Sequence, residues 1–220
     1  MVTSTLIKQI GNTPLIKLKK ISELTGCNIY GKAEYFNPGQ SVKDRAALFI
    51  INEGIKKKVI EKGGTDVAGT AGNTGIVLTV VGNEYGLKTV IVIPRTQSQE
   101  KKDALKKLGA ELIEVDAVPY ANPNNYVKYS KKVAEELKNK NGVLWANQFD
   151  NTINTEAHIQ TTAEEIWTQT AGEVNGFVCA AGTGGTIAGV SLGLKAKNKN
   201  IKIALSDPNG SSLYSHIKFG

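Results

Sequence analysis

The sequence predicts an α/β fold built on mainly parallel sheets. Three observations carry that expectation. Strand-like apolar runs alternate with helix-like runs at 3.6-residue periodicity along the chain. Two glycine-rich turns, at 69–75 and 182–186, each follow a strand-like run and open a helix-like one. The 220 residues suffice for one large domain or two small ones.

The first strand run is NIYGKAEY (28–35), after which Asn37-Pro38-Gly39 signals a turn. A helix is expected over 43–58, with Ser41 as N-cap and Asp44 three residues on, close to a capping box. TDVAG (65–69) reads as a buried strand and GTAGNTG (69–75) as the turn into a helix over 73–85. Strand TVIVIP (89–94) leads to a helix over 98–108, and AELIEV (110–115) to a helix over 124–139. Between the last two lies DAVPYANPNN (116–125), a polar, proline-bearing loop that could act as a hinge. GVLWA (142–146) precedes a helix over 155–170, and GFVCAA (176–181) a helix over 185–196. IKIALS (201–206) is the last strand run. In such an arrangement the crossovers are right-handed and ligands bind at the carboxyl ends of strands.

Composition narrows the function classes. At 40% hydrophobic and 21% charged residues the chain is an ordinary globular sequence. No apolar run approaches the roughly 20 residues needed to span a bilayer. The N-terminus lacks a signal-peptide core and is not arginine-rich, so a cytoplasmic protein is expected. Two cysteines, Cys27 and Cys179, are too few for a disulfide framework, and both are expected as small core residues. His158 and His216 offer no metal-ligand spacing and are read as structural; no metal is expected. The net charge of +7 invites a nucleic-acid reading. The lysines, however, are spread over many helix-like runs and interleaved with acids, as on solvated helix faces. Neither nucleic acid nor membrane is expected as a partner.

Three stretches carry chemistry. Glycines after a strand let the backbone approach an anion closely, and the following helix N-terminus favours negative charge. GTGGT (182–186) is therefore read as a phosphate cup. Neither it nor GTAGNTG matches the dinucleotide fingerprint or the P-loop. Two such turns suggest two anions, or one cofactor phosphate and one substrate carboxylate; tight strand-to-helix packing is the alternative. In NPGQSVKDRAA (37–47), Lys43 falls in the first helical turn, against the positive end of the macrodipole. A lysine whose ammonium is disfavoured is more easily neutral and can form a Schiff base; a solvated surface lysine is the alternative. Lysine plus phosphate cup is the set that pyridoxal phosphate needs.

IGNTPL (10–15), NPGQSVKDR (37–45), GTAGNTG (69–75), NQFDN (147–151) and GTGGT (182–186), in this order, resemble the motifs of the cysteine synthase and cystathionine beta-synthase family. These are fold type II pyridoxal-phosphate enzymes, with a tryptophan synthase beta-like architecture. The stretches at 95–120 and 207–215 look closest to a cysteine-synthase-like subgroup. The resemblance implies two three-layer α/β/α domains. A smaller one at 36–149 would carry the substrate-carboxylate loop, and a larger one at 1–35 plus 150–220 would bind the cofactor phosphate and be incomplete. Lys43 would hold pyridoxal 5'-phosphate and act as base on the substrate α proton. Asn73 would hydrogen-bond the ring oxygen, and Gly182, Thr183, Gly184, Gly185 and Thr186 would bind the phosphate. Thr70, Ala71, Gly72, Thr74 and Gln148 would line the substrate-carboxylate site.

The implied reaction is β-replacement on O-acetylserine or a similar serine derivative, through an aminoacrylate to which sulfide or another thiol adds. Condensation of serine with homocysteine is the alternative within the family. A homodimer is implied as well. Two departures stand out. Family members usually carry serine where this chain has Ala71, which should weaken or redirect substrate binding. Family cores also run longer: a mobile glycine-rich loop, a hydroxyl facing the pyridine nitrogen and further strands have no counterpart in the 220 residues. Impaired turnover is expected on that basis, and a non-catalytic binding remnant is the alternative outside enzymology.

Overall fold

The computed structural model describes residues 5–219. Its centre is a parallel four-stranded sheet in the order β5-β4-β3-β6, with β3 at Thr65–Gly69, β4 at Lys88–Pro94, β5 at Glu111–Val115 and β6 at Val143–Trp145. β3 and β4 are buried along almost their whole length, which explains why they read as continuous apolar runs rather than alternating ones. The two sheet faces still separate with period two. Ala68, Ile91 and Ile93 meet Ala47, Ile50 and Ile51 of α2 (Lys43–Lys56) and Val77, Leu78 and Val81 of α3 (Asn73–Tyr85). On the other face Val67, Val90 and Val92 meet Val133 of α5 (Tyr126–Glu136). A shorter helix, α4 (Gln99–Lys107), adds Leu105 to the first layer.

A second group of elements surrounds a separate apolar cluster. β7 (Gly176–Cys179) and β8 (Lys202–Leu205) pair in parallel, and α8 (Gly185–Lys197) crosses between them. Val190 and Leu194 of α8 pack with Ile201, Ala163 and Ile166. The last two belong to one long helical run: α6 (Ile153–Ala157), a π-helical segment (His158–Ala163) and α7 (Glu164–Gln169). The expected helix over 155–170 is thus present, widened in its middle by a π turn of a kind that recurs at functional sites.

α8 meets that run through three glycines spaced four apart. A Cβ at Gly185 would lie 2.3 Å from Asn154, one at Gly189 2.4 Å from the Thr155 carbonyl oxygen and 2.6 Å from His158 Cβ, and one at Gly193 2.5 Å from Ala163. The absent side chains let the two helices approach almost backbone to backbone.

The expected alternation holds, with adjustments at its edges. The run over 28–35 shortens to β2 (Tyr30–Lys32), because Glu34–Phe36 closes a 3₁₀ turn ahead of Pro38. β2 pairs antiparallel with β1 (Leu15–Lys17), a strand too short to show a period. Between them lies α1 (Lys19–Thr25), whose only buried residue is Ser22, so it carries no apolar stripe to read. Cys27 is exposed, against the expectation of a core residue. It follows Gly26, which ends α1 in the left-handed conformation, so it sits in a turn rather than in a strand. Cys179 is half-buried in β7. Several lysines lie on solvated helix faces in i,i+4 pairs, as with Lys131–Glu135 and Lys132–Glu136.

Alanine is the better helix former by about 1 kcal/mol, yet Gly189→Ala should destabilise the protein by about 1–3 kcal/mol through overpacking. A lowered denaturation midpoint in urea checks this; an unchanged or raised midpoint would show that α8 is free to shift.

Candidate functional site

Lys43 opens α2, as its sequence context suggests, and its local capping is reciprocal. The Ser41 hydroxyl oxygen accepts from the Lys43 backbone N–H (3.2 Å), and the Asp44 carboxylate reaches back to accept from the Gly39 N–H (2.6 Å). Val42 is the residue at the cap position itself, so the expected capping box sits one residue out of register. A Cβ at Gly39 would strike Val77, which is why the turn needs glycine there. Lys43 is not a solvated surface lysine. Burial pushes its ammonium pKa down, opposed only by a favourable interaction with Cys179. Desolvation is the dominant cause, beyond the helix dipole inferred from sequence.

Lys43 lies on the wall of a cavity of about 990 Å³. Cys179, Gly182, Thr183, Gly184 and Thr186 share that wall. Four of the five cup residues and the candidate Schiff-base lysine thus face one space. The fifth, Gly185, is buried beneath it against Asn154. Gly184 has φ +82°, a conformation favouring glycine, and a Cβ at Gly182 or Gly184 would project into open space. The first N–H groups of α8 have no intrahelical acceptors; that of Gly185 meets the Thr183 hydroxyl oxygen at 3.4 Å, and those that follow are available to an anion lying in that space.

Thr70, Ala71, Gly72, Asn73, Thr74 and Gln148 lie outside this wall. They form a second cluster at the carboxyl end of β3 and the start of α3. Thr74 donates to the Gln148 side-chain oxygen (2.7 Å), and the Thr70 hydroxyl oxygen accepts from the Gly72 N–H (3.2 Å). Gln97 donates to the Ala71 carbonyl, and Asn73 is exposed. The two clusters are joined by Asn154, a residue the sequence reading passed over. Its side-chain nitrogen donates to the Gln148 carbonyl and to the Thr183 hydroxyl oxygen, each at 2.9 Å.

A buried ionic cluster lies beside the site, also unforeseen. Arg45, 1% exposed, grips Glu34 through Nε and Nη2 (both 2.8 Å) and Glu165 through Nη1 (2.5 Å) and Nη2 (2.8 Å). Lys32 adds Nζ contacts of 2.6 Å to Glu165 and to the Thr13 carbonyl. The IGNTPL motif serves this cluster: the Asn12 N–H donates to Glu165, the Thr13 hydroxyl to Glu34, and the Gly11 N–H to Asn37. Two cations and two carboxylates balance. Burial alone would raise the Glu165 carboxyl, but the hydrogen bonds from Arg45 and Lys32 pull it down to about 2. No single segment foretells the cluster, because its members come from positions 11–13, 32–37, 45 and 165.

His158 is buried, as a structural histidine should be, yet its ring bridges the π segment and the cup. Nδ1 lies 2.8 Å from the Thr162 hydroxyl and Nε2 3.2 Å from that of Thr186. Burial, with the positive charges of Arg45 and Lys43, pushes its pKa down to about 4, so the ring is neutral at neutral pH. Among the described residues no three His, Cys, Asp or Glu side chains gather to hold a metal ion, and no helix is long and apolar enough to cross a membrane.

A carboxylate with a depressed folded pKa contributes stability above its unfolded value and loses it as pH falls through the folded one. The Glu165 contribution should therefore be complete above about pH 4.5 and decline toward pH 2. Glu165→Gln should flatten that part of the pH–stability curve and cost about 3–5 kcal/mol at pH 7, as expected when one partner of a buried pair is lost. Denaturant titrations across pH 2–7 measure both effects; parallel curves for parent and variant would refute the assignment.

The chain resembles known proteins over nearly its whole length. It is 52% identical over 216 residues to cysteine synthase 1 of Emericella nidulans, an alignment covering 98% of this chain and 58% of that relative. The crystal structure of O-ureido-L-serine synthase matches all of this chain and 68% of its own, with a TM-score of 0.89 at 30% identity. That of Entamoeba histolytica cysteine synthase matches 98% of this chain and 63% of its own, with a TM-score of 0.86 at 37% identity. The chain thus spans somewhat over half the length of the curated relative. The family model "pyridoxal-phosphate dependent enzyme" matches residues 6–218, and the chain belongs to that family, whose cofactor is pyridoxal 5'-phosphate.

Proposed function

We propose that this chain carries the cofactor and substrate-carboxylate sites of a cysteine synthase-like β-replacement enzyme acting on O-acetylserine or a close serine derivative, with sulfide as the incoming nucleophile. The observation that carries the reading is the common cavity wall of Lys43 and the α8 glycine turn. The residues fit the cofactor: an amine disfavoured as ammonium faces a cradle of glycines and hydroxyls at a helix N-terminus. When bound, pyridoxal phosphate supplies an electron-withdrawing ring that stabilises negative charge at the substrate α-carbon.

The chain's own groups divide the remaining work. Lys43 Nζ, whose charge burial opposes, accepts the α proton and can return it. Gly182, Thr183, Gly184 and Thr186 hold the phosphate through N–H and O–H donors, and Gly185 supports the cup through its N–H bond to the Thr183 hydroxyl oxygen. Asn73, exposed at the start of α3, donates to the ring oxygen. Thr70, Ala71, Gly72, Thr74 and Gln148 line the carboxylate site. The neutral amide of Gln148 binds an anion without adding a charge near the lysine. The division into 36–149 and 1–35 plus 150–220, with the two sites on opposite sides of the boundary, and a homodimeric assembly belong to the same reading. The 52% identity to a cysteine synthase supports the choice of reaction.

Mixing the purified chain with pyridoxal phosphate should produce a visible absorption band that Lys43→Ala abolishes. O-acetylserine should then change that band, and sulfide should restore it. A folded parent without the band would refute the cofactor site; a band indifferent to O-acetylserine would refute the substrate.

Ala71 provides a separate test. Ala71→Ser would add one hydroxyl at the carboxylate site, worth about 0.5–1.5 kcal/mol for a single hydrogen bond. Steady-state kinetics should show the corresponding fall in KM for O-acetylserine. An unchanged KM would mean that position 71 does not touch the carboxylate.

A further inference from the structure

We propose that Asn154 and His158, one turn apart on the helix behind the cup, are positioning residues that turn the hydroxyl hydrogens of Thr183 and Thr186 toward the bound anion. The inference rests on the reading of the cup as a phosphate site and says which way its two hydroxyl bonds run: both threonines donate, to oxygens of the anion that accept.

The Asn154 orientation follows from its partners. The Gln148 carbonyl oxygen can only accept, so the amide atom 2.9 Å from it is Nδ2. The second hydrogen on that nitrogen reaches Thr183 Oγ1, also at 2.9 Å. Thr183 Oγ1 receives a further hydrogen bond from the Gly185 N–H, at 3.4 Å. With both acceptor positions of that oxygen taken, the Thr183 hydroxyl has only its hydrogen to offer.

His158 occupies one acceptor position of the Thr186 hydroxyl and leaves its hydrogen free, provided the ring tautomer is fixed. A neutral imidazole has one donor and one acceptor nitrogen. If Nδ1 carried the proton, Nε2 would draw the Thr186 hydrogen away from the cup. The hydroxyl of Thr162, a buried residue, would then have no acceptor for its own hydrogen among the described residues. The other tautomer satisfies every group: Thr162 donates to Nδ1, Nε2–H donates to Thr186, and the Thr186 hydrogen is free. Thr161 gives its hydroxyl to the Ala157 carbonyl (2.6 Å), the usual bond for a helical threonine, whereas Thr162, in the same π segment, turns to the ring. Gly189, with no Cβ to meet His158, allows α8 to come close enough for the Nε2 contact.

Two measurements on the full chain test this. Long-range ¹⁵N–¹H spectra distinguish the two ring tautomers, and the chain has only two histidines. His158 should show Nε2–H, and the near-isosteric Thr162→Val should lose that preference. An Nδ1–H tautomer in the parent overturns the proposal, with no variant needed. The second measurement is the affinity for pyridoxal phosphate relative to pyridoxal, titrated by absorbance in a Lys43→Ala background. The preference for the phosphorylated form should fall about tenfold in His158→Phe and in Asn154→Leu, the order of one hydrogen bond to a charged group. His158→Gln, whose amide N–H can replace Nε2–H, should recover most of it. An unchanged preference in His158→Phe, or no recovery in His158→Gln, overturns the relay. A parent that binds both forms equally refutes the phosphate reading of the cup, and the tautomer alone then decides whether the hydroxyls are set as donors.

Discussion

The arrangement depends first on the pairing of Arg45 with Glu34 and Glu165. A guanidinium taken fully out of water is tolerable only when its donors are met, and here two carboxylates and the Thr13 hydroxyl meet them. The pairing joins α7 to α2 and to the loop after β2, segments far apart in sequence. Lys43 is two residues from Arg45, so the same pairing fixes where α2 begins and which way its first turn points. The desolvation that disfavours the Lys43 ammonium follows from that placement. A rigid charged brace beside a neutral-prone amine is a workable combination because the brace is itself balanced: Lys32 and Arg45 against Glu34 and Glu165. An unbalanced cluster would bias the protonation of the lysine next to it.

The long helix over 153–169 organises the rest. Its first turn provides Asn154, which ties the Gln148 backbone to Thr183. Its π segment provides His158, and its last turns provide Glu165. Three side chains, roughly one to two turns apart, thus reach the Gln148 backbone, the glycine turn at 182–186 and the ionic brace. The widened turn shifts the residues after it relative to an ideal α-helix, so the face that meets α8 and the face that meets Arg45 are set by one local irregularity.

The sequence made the central sheet legible for specific reasons. β3 matches its expected span and α3 runs from Asn73 to Tyr85 as read, because a fully buried strand and glycines at both helix ends leave little ambiguity. Lys43 and the glycine turn were also readable, since both are local features. The antiparallel β1–β2 pair was not, because three-residue strands carry no period. Cys27 misled because it borders the strand-like run over 28–35, at a point where a glycine-capped helix turns back. Arg45, Glu34, Glu165, Asn154 and Thr162 were invisible as a functional group. Each looks like an ordinary polar residue until distant segments meet, and no periodicity reports a contact across 120 positions.

The glycines of α8 bear on how this region folds. Each interior glycine weakens an isolated helix by up to about 1 kcal/mol relative to alanine, and α8 has two on its contact face, Gly189 and Gly193, after Gly185 at its start. Such a segment has little helicity of its own and owes its order to docking on the 153–169 run. The cup at its N-terminus therefore exists only while that docking holds. Local opening of α8 and loss of the glycine turn at its N-terminus are a single cooperative event, and any ligand held by that turn would protect the amide hydrogens of both helices against exchange.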